Sequence, residues 1–218
     1  MEFEQAVRGR RMVRSFTPEP VAPAVVDEIC DLARRAPTAG NAAGVEFLVL
    51  EGAATMAYWD VTLPSGQREG FAWPGLLAAP VLVVVWVDPG AYVSRYREPD
   101  KAHTGLGAGE EAWPVPYWFV DGGAAVMTML LAARDRGLGA ALFGLFAHEE
   151  AVRQRFGVPP DRRGVGTVAI GRPAADDRPS HSAGRGRPDL SDVVHRTRWQ
   201  PRLSPVPTGP SARGASRD

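Results

Sequence analysis

The chain of 218 residues contains a single cysteine, Cys30, so no intramolecular disulfide can form, and an isolated thiol fits a reducing compartment. Neither sign of charge is in excess. Twenty-five Lys and Arg balance 25 Asp and Glu, which argues against a broad affinity for nucleic acid or anionic membrane. Long apolar runs are missing too. The two longest, residues 81–87 and 124–133, are too short to span a bilayer. The opening Met1-Glu2-Phe3-Glu4-Gln5 is acidic and lacks an apolar h-region, so it does not read as a signal peptide. These absences together predict a soluble cytoplasmic protein with no nucleic-acid or membrane partner.

Other chemistries are excluded by missing spacings. His103, His148, His181 and His195 are scattered without ligand spacing, so no metal site is expected. No Gly-x-Ser-x-Gly elbow is present for a hydrolase. Gly105-Leu106-Gly107-Ala108-Gly109 is glycine-rich, but no strand precedes it. Glu110-Glu111 follow and would repel a pyrophosphate, so it is not a dinucleotide fingerprint. Cys30 lies beside the apolar face of its helix, where an inert core thiol is the commoner case than a nucleophile.

What is present suffices for one large domain with a real core: 44% apolar and 23% charged residues. Phe3, Ala6 and Val7 predict a short helix over 2–9. Val25, Val26, Ile29, Leu32, Ala33 and Ala36 share a face, which predicts a helix over 24–36 with Pro23 at its start and Pro37 after its end. Residues 47–50 read as a short strand, and the β-branched run 81–87 as a central one. Residues 119–136 form a helix that is apolar on nearly every side, stopped by Gly137. Strands over 140–143 and 165–170 flank a helix over 148–156. Residues 204–218, rich in Ser, Pro, Gly and Arg, predict a disordered end to the chain. The domain is therefore placed at 1–200 and the tail at 201–218, with an α+β fold of helices over one sheet.

Three separated segments could each meet an anionic, planar cofactor. Arg10-Arg11-Met12-Val13-Arg14-Ser15-Phe16 is either a solvated basic patch or a phosphate clamp. Ala36-Pro37-Thr38-Ala39-Gly40-Asn41 is either a plain helix-to-strand turn or a close backbone approach with donors at Thr38 and Asn41. Gly184-Arg185-Gly186-Arg187-Pro188 is either a flexible basic loop or an extended segment with two arginines on one side.

Taken together, these segments resemble the nitroreductase family of FMN enzymes. Arg10 through Phe16 match its basic opening stretch, and Ala36 through Asn41 its Ala-Pro-Ser-x-x-Asn turn. Gly137-Leu138-Gly139 match the strand start after its apolar helix, with Gly144 and the pair Arg185 and Arg187 completing the order. The resemblance covers roughly residues 3–199. It implies a nitroreductase-like α+β fold, with helices packed around a mainly antiparallel sheet, and a homodimer. It also implies FMN as cofactor, NADH or NADPH as donor, and ping-pong reduction of a nitroaromatic, quinone or enone acceptor. By the same resemblance Arg10, Arg11, Met12 and Arg14 lie along the cofactor, and Arg185 and Arg187 grip its phosphate. Pro37, Thr38, Ala39 and Asn41 reach the partner's flavin, while the N–H groups of Gly144 and Leu145 lie near flavin N5, where the flavin itself carries the chemistry. Two departures stand out. Met12 replaces a frequent serine, and Ala43-Gly44-Val45 replaces Gln-Pro-Trp. These departures leave open a flavin-dependent oxidase or dehydrogenase of a biosynthetic intermediate, or a non-catalytic flavin-binding module. Residues 58–118 hold ten of the aromatics. Most are expected in loops, where they either cover the flavin or pin a long excursion.

Overall fold

The computed structural model describes residues 1–201. By its contacts the chain divides into two compact units, residues 1–177 and residue 178 onward. The expected disordered tail lies outside the described residues, Pro201 apart.

The first unit is organised by strand β2, Val81–Val87. Its sequence, VLVVVWV, is mostly β-branched and wholly apolar, so it favours extended backbone and has no polar face to show to water. Every one of its residues is buried. Strand β1, Val45–Glu51, strand β3, Gly139–Phe143, and strand β4, Arg163–Gly171, complete the sheet. The order is β1-β2-β4-β3, and all three pairings are antiparallel.

Helices cover both faces of this sheet. In chain order they are α1, Phe3–Gly9; α2, Pro23–Ala33; α3, Ala53–Thr62; α4, Ser65–Arg68; α5, Pro89–Tyr96; α6, Tyr117–Asp135; and α7, Glu149–Phe156. Val81, Val83 and Val85 face one way and pack with Val26 and Ile29 of α2 and Val126 and Met129 of α6. Leu82, Val84 and Trp86 face the other way and pack with Tyr58 and Trp59 of α3 and Val152 of α7. Each such aliphatic side chain, fully buried, contributes about 1.5–3 kcal/mol before entropy is charged.

Three expectations need correction. Helix α2 stops at Ala33 and not at 36, and Leu32 is 38% exposed, because the helix narrows its buried stripe to Val26, Ile29 and Ala33. Tyr58, Trp59, Tyr92 and Trp118 stand on helices, not loops, and are buried with Trp113 because they fill the space around β2. In the second unit, residues 181–185 form a 3-10 turn and Gly186 is left-handed at φ 73. Arg185 and Arg187 therefore do not alternate along an extended strand.

Among the described residues no helix is long and apolar enough to cross a membrane, and no group of side chains is arranged to hold a metal.

Candidate functional site

The strip 10–16 runs along the free edge of β3. Met12 bridges Ala140 in parallel, Val13 N–H donates to Ala140 O at 3.0 Å, and Phe16 bridges Pro173. The strip is fastened from behind by Asp177, whose side chain is only 1% exposed. The N–H groups of Arg14 and Ser15 donate to its Oδ1 at 2.7 and 2.9 Å, and Arg11 forms an ion pair with its Oδ2. Arg11 is thus neutralised within the chain.

Arg10 is placed differently. Its Nε and Nη1 are buried and meet no acceptor among the described residues. It lines a cavity of about 60 Å³ together with Arg11, Gly139 and Arg134 of α6. The periodicity of α6 gave no reason to single out Arg134, which emerges only from the way the helix end meets Gly9. A buried guanidinium nitrogen without a partner is costly. Phosphate or carboxylate oxygens would satisfy two such N–H groups at once.

Arg14 faces a larger cavity of about 410 Å³, lined also by Trp59, Phe71, Trp73, Phe143 and Gly144. Its guanidinium lies over the Trp73 ring at 5.0 Å from the centroid and donates one long bond, 3.4 Å, to Met12 O. Trp59 and Phe143 are stacked at 5.6 Å, so the walls are flat and apolar. Tyr58 lines the same cavity. Burial pushes its phenol up to about 12, partly offset by its hydrogen bond with Thr167, so it stays neutral at physiological pH. Gly144 and Leu145 follow the end of β3 here, and outside the sheet ladder neither N–H donates to a backbone acceptor among the described residues. Phe146 is 88% exposed and holds a positive φ of 45, with its ring over Gly144. No sequence signal marked it.

The side chain of Met12 is half-buried, and its sulfur accepts the Leu142 N–H at 3.4 Å. The residue that replaces serine is therefore spent on the sheet edge and on both core faces.

The turn 37–43 lies on a different cavity of about 380 Å³, lined by Ala39, Tyr96, Trp113 and Tyr117. Within one chain Ala39 therefore does not share the cavity of Arg14 and Gly144. Pro37 and Asn41 are exposed, and Thr38 Oγ1 accepts the Ala43 N–H at 3.1 Å, which leaves its own O–H to donate. Asp121 of α6, which the apolar reading of that helix passed over, is 6% exposed and accepts Ala39 N–H at 2.7 Å and Tyr92 O–H at 2.9 Å. Burial first, and Asp121 second, push the Tyr92 phenol well above its ordinary value. Arg185 and Arg187 are exposed in the second unit.

Residues 7–172 match the Nitroreductase family. A protein of Archaeoglobus fulgidus named as an NADH dehydrogenase/NAD(P)H nitroreductase is 26% identical, over 91% of this chain and 99% of its own length. The 4-nitrobenzoate reductase of a Nocardioides species is 30% identical, over 78% of this chain and 79% of its own. Among solved structures, a protein of Desulfovibrio desulfuricans described as a nitroreductase in complex with FMN superposes with a TM-score of 0.63. It is 22% identical, over 90% of this chain and 97% of that one. A chain matched over most of its first unit, with the expected antiparallel sheet between helices, belongs to the nitroreductase family and is an oxidoreductase.

Proposed function

We propose that this oxidoreductase holds FMN non-covalently in the composite sites of a homodimer and uses NADH or NADPH to reduce a small planar acceptor of the nitroaromatic, quinone or enone type. The observation that carries the reading is Arg10, with two buried nitrogens that meet no acceptor among the described residues, in a strip where Arg11 is already neutralised. The terminal phosphate of FMN would supply the missing oxygens. Bound FMN would supply a two-electron carrier between nicotinamide and acceptor.

The remaining residues fit that cofactor. Arg14, braced by Trp73, holds a positive charge at the wall of the larger cavity, suited to the electron-rich edge of a flavin. The Gly144 and Leu145 N–H groups are left to donate to a ring heteroatom. Trp59, Phe71 and Phe143 take a flat ring and exclude water. Arg185 and Arg187 add to the phosphate grip. Thr38 and Asn41 donate across the dimer, to the flavin held mainly by the other chain. The pairing of chains is supported by α6, whose Val120 and Met127 are 51% and 37% exposed in one chain. The names of the relatives favour the same donor and acceptor classes, with 4-nitrobenzoate the one to try first. The single half-buried thiol suits the cytoplasm.

The purified protein should be yellow, and heat should release FMN rather than FAD. NADH or NADPH should bleach it without oxygen, and 4-nitrobenzoate should restore the colour. A colourless protein that FMN does not reconstitute would refute the proposal. Subunit exchange tests the composite site: a chain crippled at Arg185 and Arg187, mixed with one crippled at Thr38 and Asn41, should regain one working site in two.

A further inference from the structure

We infer that Asp121 and Arg95 are positioning residues for the flavin contact made by the turn 37–43. The inference rests on the FMN reading above and adds to it the groups that set the geometry of that turn.

The backbone of this turn is unusual. Gly40, Asn41 and Ala43 have φ of 62, 56 and 54, and two of the three carry side chains. Left-handed backbone at a non-glycine residue persists only where its surroundings over-determine it. Here they do. Asp121 reaches from α6 to the Ala39 N–H at 2.7 Å. Arg95 reaches from α5, its Nε donating to Gly40 O at 2.8 Å. The Asp88 N–H donates to Gly44 O at 2.8 Å, and a Cβ at Gly44 would sit 2.7 Å from the Tyr92 ring. Both reaching side chains are themselves held. Tyr92 O–H donates to Asp121 at 2.9 Å, and Asp100 takes two bonds from Arg95 at 2.7 Å each.

The direction of these bonds is informative. Apart from bonds within the turn itself, from Asn41 N–H to Thr38 O, Ala42 N–H to Ala39 O and Ala43 N–H to Thr38 Oγ1, these anchors grip its backbone from the α5 and α6 side. Pro37 and the Asn41 amide are exposed, and Asn41 makes no side-chain hydrogen bond among the described residues. A turn that only joined α2 to β1 would need neither two left-handed side-chain residues nor a buried carboxylate. Asp121 also forms no ion pair among the described residues, so it is a carboxylate retained in the interior for what its oxygen accepts. The arrangement fixes the backbone and leaves the outward groups unspent, which is what presenting them to a cofactor requires.

The test follows amide exchange and FMN affinity in the full-length protein. Exchange is read without cofactor, and FMN binding by quenching of flavin fluorescence. In Asp121→Ala, amides 39–43 should exchange at least tenfold faster while those of β2 keep their rates, and FMN should bind at least tenfold more weakly. Asp121→Asn keeps an acceptor oxygen in place and should stay within threefold of the parent on both readouts. Arg95→Ala frees Gly40 O from a half-exposed helix face. It should loosen the same amides and weaken FMN, and it decides the matter if faster β2 exchange shows that Asp121→Ala has lost its fold. Unchanged exchange at 39–43, faster exchange with unchanged FMN affinity, or an Asn variant as impaired as the Ala variant would each overturn the inference alone. A parent protein that binds no FMN would overturn the FMN reading, and the inference with it.

Discussion

Replacing Arg10 by alanine should weaken cofactor affinity while leaving the stability of the cofactor-free chain nearly unchanged. Among the described residues the Nε and Nη1 groups of Arg10 are buried without acceptors. An unsatisfied buried polar group costs about 1–3 kcal/mol, so its removal relieves the fold. Arg10 is half-exposed, which places the relief at the low end. Loss of its partly buried methylene stem, at about 0.8 kcal/mol per fully buried CH₂, offsets much of it. The cofactor-free variant should therefore match the parent within about 1 kcal/mol. Binding should behave otherwise. One charged hydrogen bond to phosphate contributes about 1.5–3 kcal/mol, so FMN should bind about 10- to 150-fold more weakly. Urea unfolding with and without FMN separates the two effects. At FMN concentrations about 100 times the parental Kd, the parent gains about 2.7 kcal/mol, whereas a variant weakened about 30-fold gains only about 0.9 kcal/mol. A cofactor-free variant less stable by more than about 2 kcal/mol, with FMN affinity within about twofold of the parent, would show that Arg10 only braces the fold.

Arg185→Ala with Arg187→Ala should weaken FMN at least about tenfold by titration while the urea midpoint of the first unit holds; equal affinity would remove both from the phosphate grip. Gly75→Ala would set a Cβ 2.8 Å from the Ser15 Cα, against backbone that cannot swing aside. It should cost about 1–3 kcal/mol in urea unfolding and loosen the strip 10–16, whose Phe16 N–H donates to Gly75 O. Burial, aided by Asp27, pushes the Cys30 thiol up from 9.0 to about 11. Between those values the folded chain keeps a proton that the unfolded chain has lost, so this contribution to stability is present below pH 9 and declines toward pH 11. Unfolding free energies at pH 8 and 10.5 should show a shallower decline in Cys30→Ala than in the parent.

The parts of the fold legible in the sequence were those with a single dominant pattern. The β-branched run of β2 and the stripe of α2 announced themselves, as did the uniform apolarity of α6. Helix α3 did not. Its Tyr58 and Trp59 are adjacent, and no side chain caps its start, so neither period nor terminus signalled a helix. Helix α5 carried a signal that could be taken two ways. Asp88-Pro89 closes β2, but Asp88 also caps the helix by accepting the Ala91 N–H, with Pro89 in the first turn. Of the residues proposed for the site, the strip and the turn stood out in the sequence as clusters of residue types, and Gly144 and Leu145 came from the resemblance. Arg134 and Phe146 were not, because what marks them is a cavity or a dihedral angle. Asp121 could have been noticed: a lone carboxylate inside an apolar helix demands a partner, though the sequence could not say that the partner was the amide of Ala39.

The stitching of the strip 10–16 by Asp177 bears on how the molecule is made. The strip is translated early, yet three of its anchors belong to a carboxylate more than 160 positions later in the chain. The β2–β4 pairing likewise waits for residues 163–171. While the ribosome is still short of Asp177, α2, β1 and β2 can already gather, but the strip has only part of its seat. Closing so long a loop costs little more entropy than closing a moderate one, but it cannot begin before its far end exists. The seat of the strip that carries Arg10 and Arg14 is thus completed near the close of synthesis of the first unit, and a nascent chain stalled before Asp177 would carry most of the hydrophobic core with that strip still unfastened at Arg11, Arg14 and Ser15.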